Sequence, residues 1–227
     1  MPTVFITGAS RGLGLEFARQ YCTDDWRVIA TCRDPAKAET LSAIGGGLRI
    51  EALDVDDGAS IASLAEKLKG ESIDVLINNA GIFGPKDLTR DNVDYDAWGR
   101  VFRTNVMGPL AVSSALLSNV ENSEGKSIAT VTSRMGSIGD TTEGEEYIYR
   151  SSKAAVNMVM TCLANELAGD GVKVVLLHPG WVKTDMGGPD AAIDAKESVT
   201  GMRTVIAGLK ESDSGGFLNY DGTEIPW

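Results

Sequence analysis

The chain has 227 residues, 43% of them hydrophobic and 23% charged, which suffices for one sizeable core and makes a single domain over 1–227 the default. A formal charge of -11 excludes a nucleic-acid partner, which would need a basic face, and no 18-residue apolar run is present to span a membrane. Met1-Pro2 passes directly into an apolar run, and Cys22, Cys32 and Cys162 lack CxxC spacing and have only one histidine beside them, so a soluble, unprocessed cytoplasmic protein with reduced thiols and no metal centre is expected.

The apolar run Val4-Phe5-Ile6 leads into Thr7-Gly8-Ala9-Ser10-Arg11-Gly12-Leu13-Gly14 and then an amphipathic stretch over 15–21. That order is strand, glycine turn, helix. Glycines at 8, 12 and 14 remove β-carbons that would keep a phosphate from the backbone, and the N–H groups opening the helix, with its dipole, make an anion site. Such a site is the usual seat of a dinucleotide pyrophosphate, although the spacing G-x-x-x-G-x-G departs from the common G-x-G-x-x-G. Strand and helix then alternate: strands over 27–31, 48–52 and 73–77, with helices over 35–43 and 59–69 between them. A helical region spans 92–119 with a break at 105–109, a fifth strand covers 127–132, a helix 147–167 and a sixth strand 172–177. Residues 181–210 are mixed, and 216–219 reads as a last strand. The pattern predicts an α/β Rossmann-type, doubly wound parallel sheet with helices on both faces and a ligand beyond the carboxyl ends of the strands.

The residues just past those strands are therefore informative. Where an acidic ribose ligand would be expected in an NAD protein stand Cys32 and Arg33, and Arg11 lies in the glycine turn. Two cations and no carboxylate favour a 2′-phosphate, hence NADP(H). Asp54, followed by Val55, is placed to accept from an adenine amino group and reads equally well as a cap or turn residue. Asn79-Ala80-Gly81, after Asn78, leaves room for a ribose and also suits an ordinary strand-ending turn.

Tyr149 and Lys153 are four residues apart and share a helix face. An ammonium beside a phenol favours the phenolate and brings the pKa down from its ordinary ~10, making Tyr149 a general acid for a carbonyl oxygen. The pair also occurs in ordinary helices; Ser133, sixteen residues upstream at a strand end, adds a second donor to the same oxygen.

Together these residues resemble the short-chain dehydrogenases/reductases over the whole chain. The T-G-x-x-x-G-x-G turn of that family matches 7–14, its N-N-A-G matches 78–81, and its Y-x-x-x-K matches 149–153. Residues 132–138 and the ending Gly222-Thr223-Glu224-Ile225-Pro226-Trp227 are similar to sniffer-type carbonyl reductases and C-factor-like proteins. The resemblance implies that Tyr149 donates the proton and that Lys153 tunes it and holds the nicotinamide ribose. It further implies that Ser133 orients the carbonyl and that Asn105 anchors a water linking Lys153 to solvent. Pro179, Gly180, the backbone of Val182 and the Thr184 hydroxyl are implied for the carboxamide. Only Tyr149, and not Tyr147, has the lysine four residues on, and the short chain leaves a small substrate loop after Thr184. Homodimers or homotetramers through the two long helices are usual in such proteins.

His178 reads as a satisfied strand-end residue and Cys162 as packing, while Phe83, Met135, Ile138, Trp181 and Met186 suit either an apolar substrate pocket or core. The reading is an NADP-dependent oxidoreductase acting on a small carbonyl or alcohol. A C-factor-like signalling or nucleotide-sensing protein is the alternative, and a Rossmann-like methyltransferase leaves the Tyr149/Lys153 pair unexplained.

Overall fold

Seven short apolar runs pair side by side in parallel: β1 (Thr3–Ile6), β2 (Arg27–Cys32), β3 (Leu48–Ala52), β4 (Val75–Asn78), β5 (Ser127–Val131), β6 (Lys173–His178) and β7 (Phe217–Asn219). The computed structural model describes residues 1–86, 88–142 and 144–227. Strand order is β3-β2-β1-β4-β5-β6-β7, so the chain starts in the middle, winds outward to β3, and crosses back to β4 to wind the other way. The reversal lies between β1 and β4, whose partners include Val4 with Val75 and Ile6 with Ile77. Crossing connections between parallel strands force helices onto both faces. They are α1 (Gly12–Thr23), α2 (Glu39–Ser42), α3 (Gly58–Lys67), α4 (Tyr95–Phe102), α5 (Gly108–Ala115), α6 (Leu117–Glu121), α7 (Tyr147–Glu166) and α8 (Ala195–Gly208).

Each strand buries alternate side chains in opposite directions, which splits the core in two. Phe5, Ile29, Leu76, Ile128 and Leu176 pack with α3, α5 and α7 residues such as Leu64, Val112, Val156 and Met160. Val4, Ile6, Val28, Ile77 and Val175 pack on the other face with Phe17, Tyr21, Val199 and Met202 of α1 and α8. The doubly wound architecture is the expected one, with local differences. Strand four begins at Val75, and the helix expected over 35–43 is a 3-10 turn at Pro35–Lys37 followed by the short α2. The break in the helical region is a π-helical segment, Arg103–Met107, joining α4 to α5. Pro109 has no N–H to return to the carbonyl of Asn105, and the ladder lengthens so that Gly108 N–H reaches Arg103 O. No helix among the described residues is long and apolar enough to cross a membrane.

Candidate active site

The glycine turn is closed by the strand end beside it. Thr7 Oγ1 accepts N–H bonds from Asn79 and Ala80, both at 2.9 Å, and Asn79 Nδ2 donates to Thr7 O at 2.9 Å and Gly8 O at 3.1 Å. Asn78 Nδ2 points into the core toward Ser113 and Thr130, at 2.9 and 3.4 Å. The Asn-Asn-Ala-Gly segment thus clamps the turn through the Asn79 side chain and the backbone of residues 79 and 80, with the Thr7 hydroxyl as their acceptor.

The three glycines do different work. Gly8 sits at φ +66°, and a β-carbon on it would lie 2.9 Å from Ala80 Cα. A β-carbon on Gly14 would lie 2.4 Å from Gly8 O and 2.6 Å from Asn79 Nδ2, so Gly14 lets the turn fold onto itself. Gly12, at φ +56°, opens α1, and a β-carbon on it would meet only Thr184, at an ordinary contact distance of 3.7 Å. The caps of α3, α4 and α8 are Asp57, Asp94 and Asp194, each accepting a backbone N–H. The cap of α1 is Arg11, whose side chain accepts none. Left-handed glycines and a helix start without a side-chain acceptor make a cradle that fits a pyrophosphate.

Around that cradle Ser10 and Arg11 are exposed and Leu13 is half-buried. Arg11 Nη1 meets Asp185 Oδ2 at 3.2 Å, with both side chains solvated. Arg33 is exposed past β2, next to a buried Cys32. Asp54 Oδ1 accepts Asp56 N–H at 3.0 Å in a turn before α3, and Val55 lies against Gly108 of α5. Past β6, Pro179 O accepts the Ser198 hydroxyl at 2.6 Å, and Gly180, at φ +82°, is pressed onto Ile193 and the Tyr220 ring. Val182 is buried and bridges to Ile193, while Thr184 Oγ1 accepts Gly187 N–H at 3.2 Å in the turn that lies over Gly12.

Asn105, Ser133, Tyr149 and Lys153 come together at the carboxyl ends of β4 and β5, all buried. Asn105 Oδ1 accepts Ile82 N–H at 2.9 Å, while its Nδ2 donates to Ile82 O at 2.9 Å and Ser152 Oγ at 3.0 Å. Its side chain therefore ties the loop after β4 to Ser152 of α7. A β-carbon on Gly81 would stand 3.3 Å from Asn105 Oδ1 and 3.9 Å from Lys153 Nζ. Lys153 Nζ donates to Val131 O at 3.0 Å and lies 5.6 Å from the centroid of the Tyr149 ring. The Tyr149 ring stacks on Phe83 with centroids 4.4 Å apart, and its hydroxyl donates to Met186 Sδ at 3.9 Å.

The electrostatics reverse one expectation. Burial pushes the Tyr149 phenol up to about 12, against a smaller lowering by the Ser133 hydroxyl. Burial likewise pushes the Lys153 ammonium down to about 8. Loss of water around a phenolate outweighs the lowering by the Ser133 hydroxyl, so the phenol keeps its proton at neutral pH. His178 is pushed down to about 4, first by burial and then by Arg134 and Lys153, and its Nδ1 is buried without a hydrogen-bond partner among the described residues. It is neutral and not satisfied as expected. Cys162 also departs from expectation, because it lies on the exposed side of α7. Of the apolar candidates, Ile138, Trp181 and Met186 are exposed and Phe83 and Met135 half-buried, so none is core, and Phe83 and Met186 touch Tyr149. Among the described residues no group of three or more His, Cys, Asp or Glu is placed to hold a metal ion.

A doubly wound sheet, a glycine cradle at its reversal and a Ser/Tyr/Lys cluster beside it are features of dinucleotide-dependent oxidoreductases. The family model described as short chain dehydrogenase matches residues 2–193, and the chain belongs to that family. The solved carbonyl reductase Sniffer of D. melanogaster superposes with a TM-score of 0.93 at 33% identity over 100% of both chains. The NADPH-bound carbonyl reductase from chicken fatty liver gives 0.90 at 38% identity, covering 100% of this chain and 99% of that one. The C-signal of Myxococcus xanthus is 50% identical over 155 residues, 68% of this chain and 93% of that protein. The likeness to sniffer-type reductases is thus found in structure, and that to the C-signal in sequence.

Proposed function

We propose that this chain is an NADP(H)-dependent reductase of carbonyl groups, with dinucleotide site and catalytic residues in one domain. The observation that carries this reading is Tyr149: a buried phenol, protonated at neutral pH, whose pKa the Ser133 hydroxyl lowers against burial, with Lys153 beside its ring. When bound, the dinucleotide supplies the hydride that a carbonyl carbon takes up. Tyr149 Oη gives its proton to the carbonyl oxygen, and Ser133 Oγ donates to the same atom, holding the carbonyl in line and stabilising charge as it develops there. Together these events convert a C=O to a CH–OH.

For the dinucleotide, the N–H groups opening α1 and the backbone of Gly8, Ser10, Gly12, Leu13 and Gly14 suit the pyrophosphate, and Arg11 and Arg33 a 2′-phosphate. Asp54 and Val55 suit the adenine, and Asn79, Ala80, Gly81, Tyr149 and Lys153 the nicotinamide ribose. Pro179, Gly180, Val182 and Thr184 suit the carboxamide. The NADPH-bound state of the chicken reductase supports the choice of NADP(H). A cytoplasmic homodimer or homotetramer acting on small molecules belongs to the same reading.

A screen of aldehydes, ketones and quinones with NADPH, followed by absorbance loss, tests it. Turnover of at least one class, abolished in Tyr149→Phe, is expected; tight NADPH binding without turnover of any would overturn it. That second result would favour a C-factor-like protein in which the dinucleotide is sensed, a reading motivated by the identity with the C-signal.

A further inference from the structure

The loop after β5 carries Ser133, and its two ends are secured differently. At its start, Ser133 Oγ accepts Met135 N–H at 3.1 Å and Gly136 N–H donates to Ser133 O at 2.8 Å, which are bonds the loop makes with itself. Gly136 then lies flush on α7 at the residue next to the phenol's lysine partner: a β-carbon on it would be 2.7 Å from Lys153 C and 2.9 Å from Ala154 N. Beyond Gly136 the loop is tied to a segment from the opposite end of the chain. Ser137 Oγ donates to Pro226 O at 2.5 Å and accepts Asp140 N–H at 3.0 Å, and Gly139 N–H donates to Trp227 O at 2.7 Å. Ser137 is 1% exposed, so the two bonds of its hydroxyl are shielded on its own side, whereas Gly139 and Trp227 are exposed.

That segment is itself anchored to the edge strand. Asn219 N–H donates to Thr223 O at 2.8 Å and Ile225 N–H to Phe217 O at 2.9 Å. Ile225 is buried in the core, and the Trp227 ring packs on Phe217 with centroids 5.5 Å apart. A line of contacts therefore runs from β7 through residues 225–227 to Ser137 and Gly139, and from Gly136 to the backbone of Lys153.

We propose that residues 225–227 are a strap that positions Ser133, with Ser137 as the positioning residue through which it acts. The proposal rests on the reductase reading, in which Ser133 and Tyr149 share one carbonyl oxygen. Without the strap, the Ser133 loop keeps its seat on α7 and its internal bonds, among them the half-exposed Arg134–Asp140 pair at 3.5 Å and the Thr141 hydroxyl on Ser137 O, and its far end loses its tie to the edge strand. A displacement of ~1 Å at a reacting group costs on the order of 100-fold in rate. The strap bonds none of residues 7–14, so cofactor affinity is separable from its effect.

The test compares wild type with Ser137→Ala and with a chain ending at Ile225, in two measurements. Amide hydrogen exchange over residues 133–141 should quicken at least tenfold while β1 to β4 stay protected, in protein free of nucleotide. In turnover with NADPH, kcat should fall roughly 10- to 100-fold while the NADPH dissociation constant stays within twofold. Unchanged exchange in the loop overturns the strap, and so does a loosened loop with undiminished kcat. NADPH affinity lost in step with kcat, or exchange quickened throughout the sheet, assigns these residues a general structural role instead and also overturns it. A wild-type protein that oxidises no NADPH with any carbonyl refutes the reductase reading, whereas the exchange measurement still decides whether the strap holds the loop.

Discussion

Asn105 and Ile82 exchange two hydrogen bonds of 2.9 Å, the side-chain amide taking the part that a strand neighbour's backbone would take. The partner loop carries Phe83, which stacks on Tyr149, so a residue in a π-helical segment sets the wall of the proton donor. Asn105→Asp removes the donor to Ile82 O and buries a carboxylate at a position 2% exposed. A loss of roughly 2–3 kcal/mol is expected, lowering Tm by about 4–12 °C. Burial raises the carboxyl pKa, so stability is retained below the unfolded value and lost as pH rises through the folded one. The Tm deficit against wild type should therefore shrink as pH falls toward 4; a deficit independent of pH would place the damage elsewhere.

Tyr149→Phe keeps the ring on Phe83 and removes only the proton. A loss of about 10²- to 10⁴-fold in kcat is expected, with NADPH affinity unchanged. A variant retaining more than about a tenth of the rate would show that another group is the acid.

The pH dependence of reduction follows from Lys153, which burial brings down to about 8. Below that value the ammonium is charged and available to the ribose and to the phenol; above it the charge is lost. With Tyr149 protonated to about 12, carbonyl reduction should be flat near neutrality and fall as pH rises through about 8. Steady-state kcat/KM between pH 6 and 10 checks this, and a profile rising across that range contradicts it.

Gly12 and Gly14 should respond differently to alanine. At Gly14 the new methyl would stand 2.4 Å from Gly8 O, an overpacking expected to cost roughly 3 kcal/mol and lower Tm by about 6–12 °C. At Gly12 it meets no close atom, and the left-handed backbone costs about 1 kcal/mol, or 2–4 °C. Dinucleotide affinity should nevertheless fall at least tenfold in Gly12→Ala. Thermal melts paired with NADPH titrations separate the two roles, and equal behaviour would remove the distinction.

Cofactor choice turns on Arg33 and Arg11. Arg33→Ala should weaken NADPH about tenfold or more and leave NADH nearly unchanged, since a charge-assisted bond contributes about 1.5–3 kcal/mol. Arg11 is already paired with Asp185 across the cradle, so Asp185→Ala removes a competitor of the phosphate. That pair is solvated and worth at most about 1 kcal/mol, which limits the gain in NADPH affinity to roughly fivefold. Ratios of kcat/KM for NADPH over NADH in the three proteins test both statements, and a ratio unmoved by Arg33→Ala would make it an ordinary surface charge.

The amino-acid order by itself determined the alternation of strand and helix, the glycine turn and the Ser133, Tyr149 and Lys153 cluster. Apolar runs, glycine spacing and side-chain chemistry are local properties that survive without coordinates. Tertiary structure alone decided what each polar group is used for. Asn79 looks free in the chain, yet its amide is consumed by Thr7 and Gly8, more than seventy residues away. The spacing of Tyr149 and Lys153 suggests a lowered phenol, whereas burial from Phe83 and the surrounding elements raises it. The bonds from Ser137 and Gly139 to Pro226 and Trp227 join stretches nearly ninety residues apart and have no local signal. Desolvation and hydrogen-bond competition depend on which distant atoms arrive, and that is set only when the sheet closes on its two layers of helices.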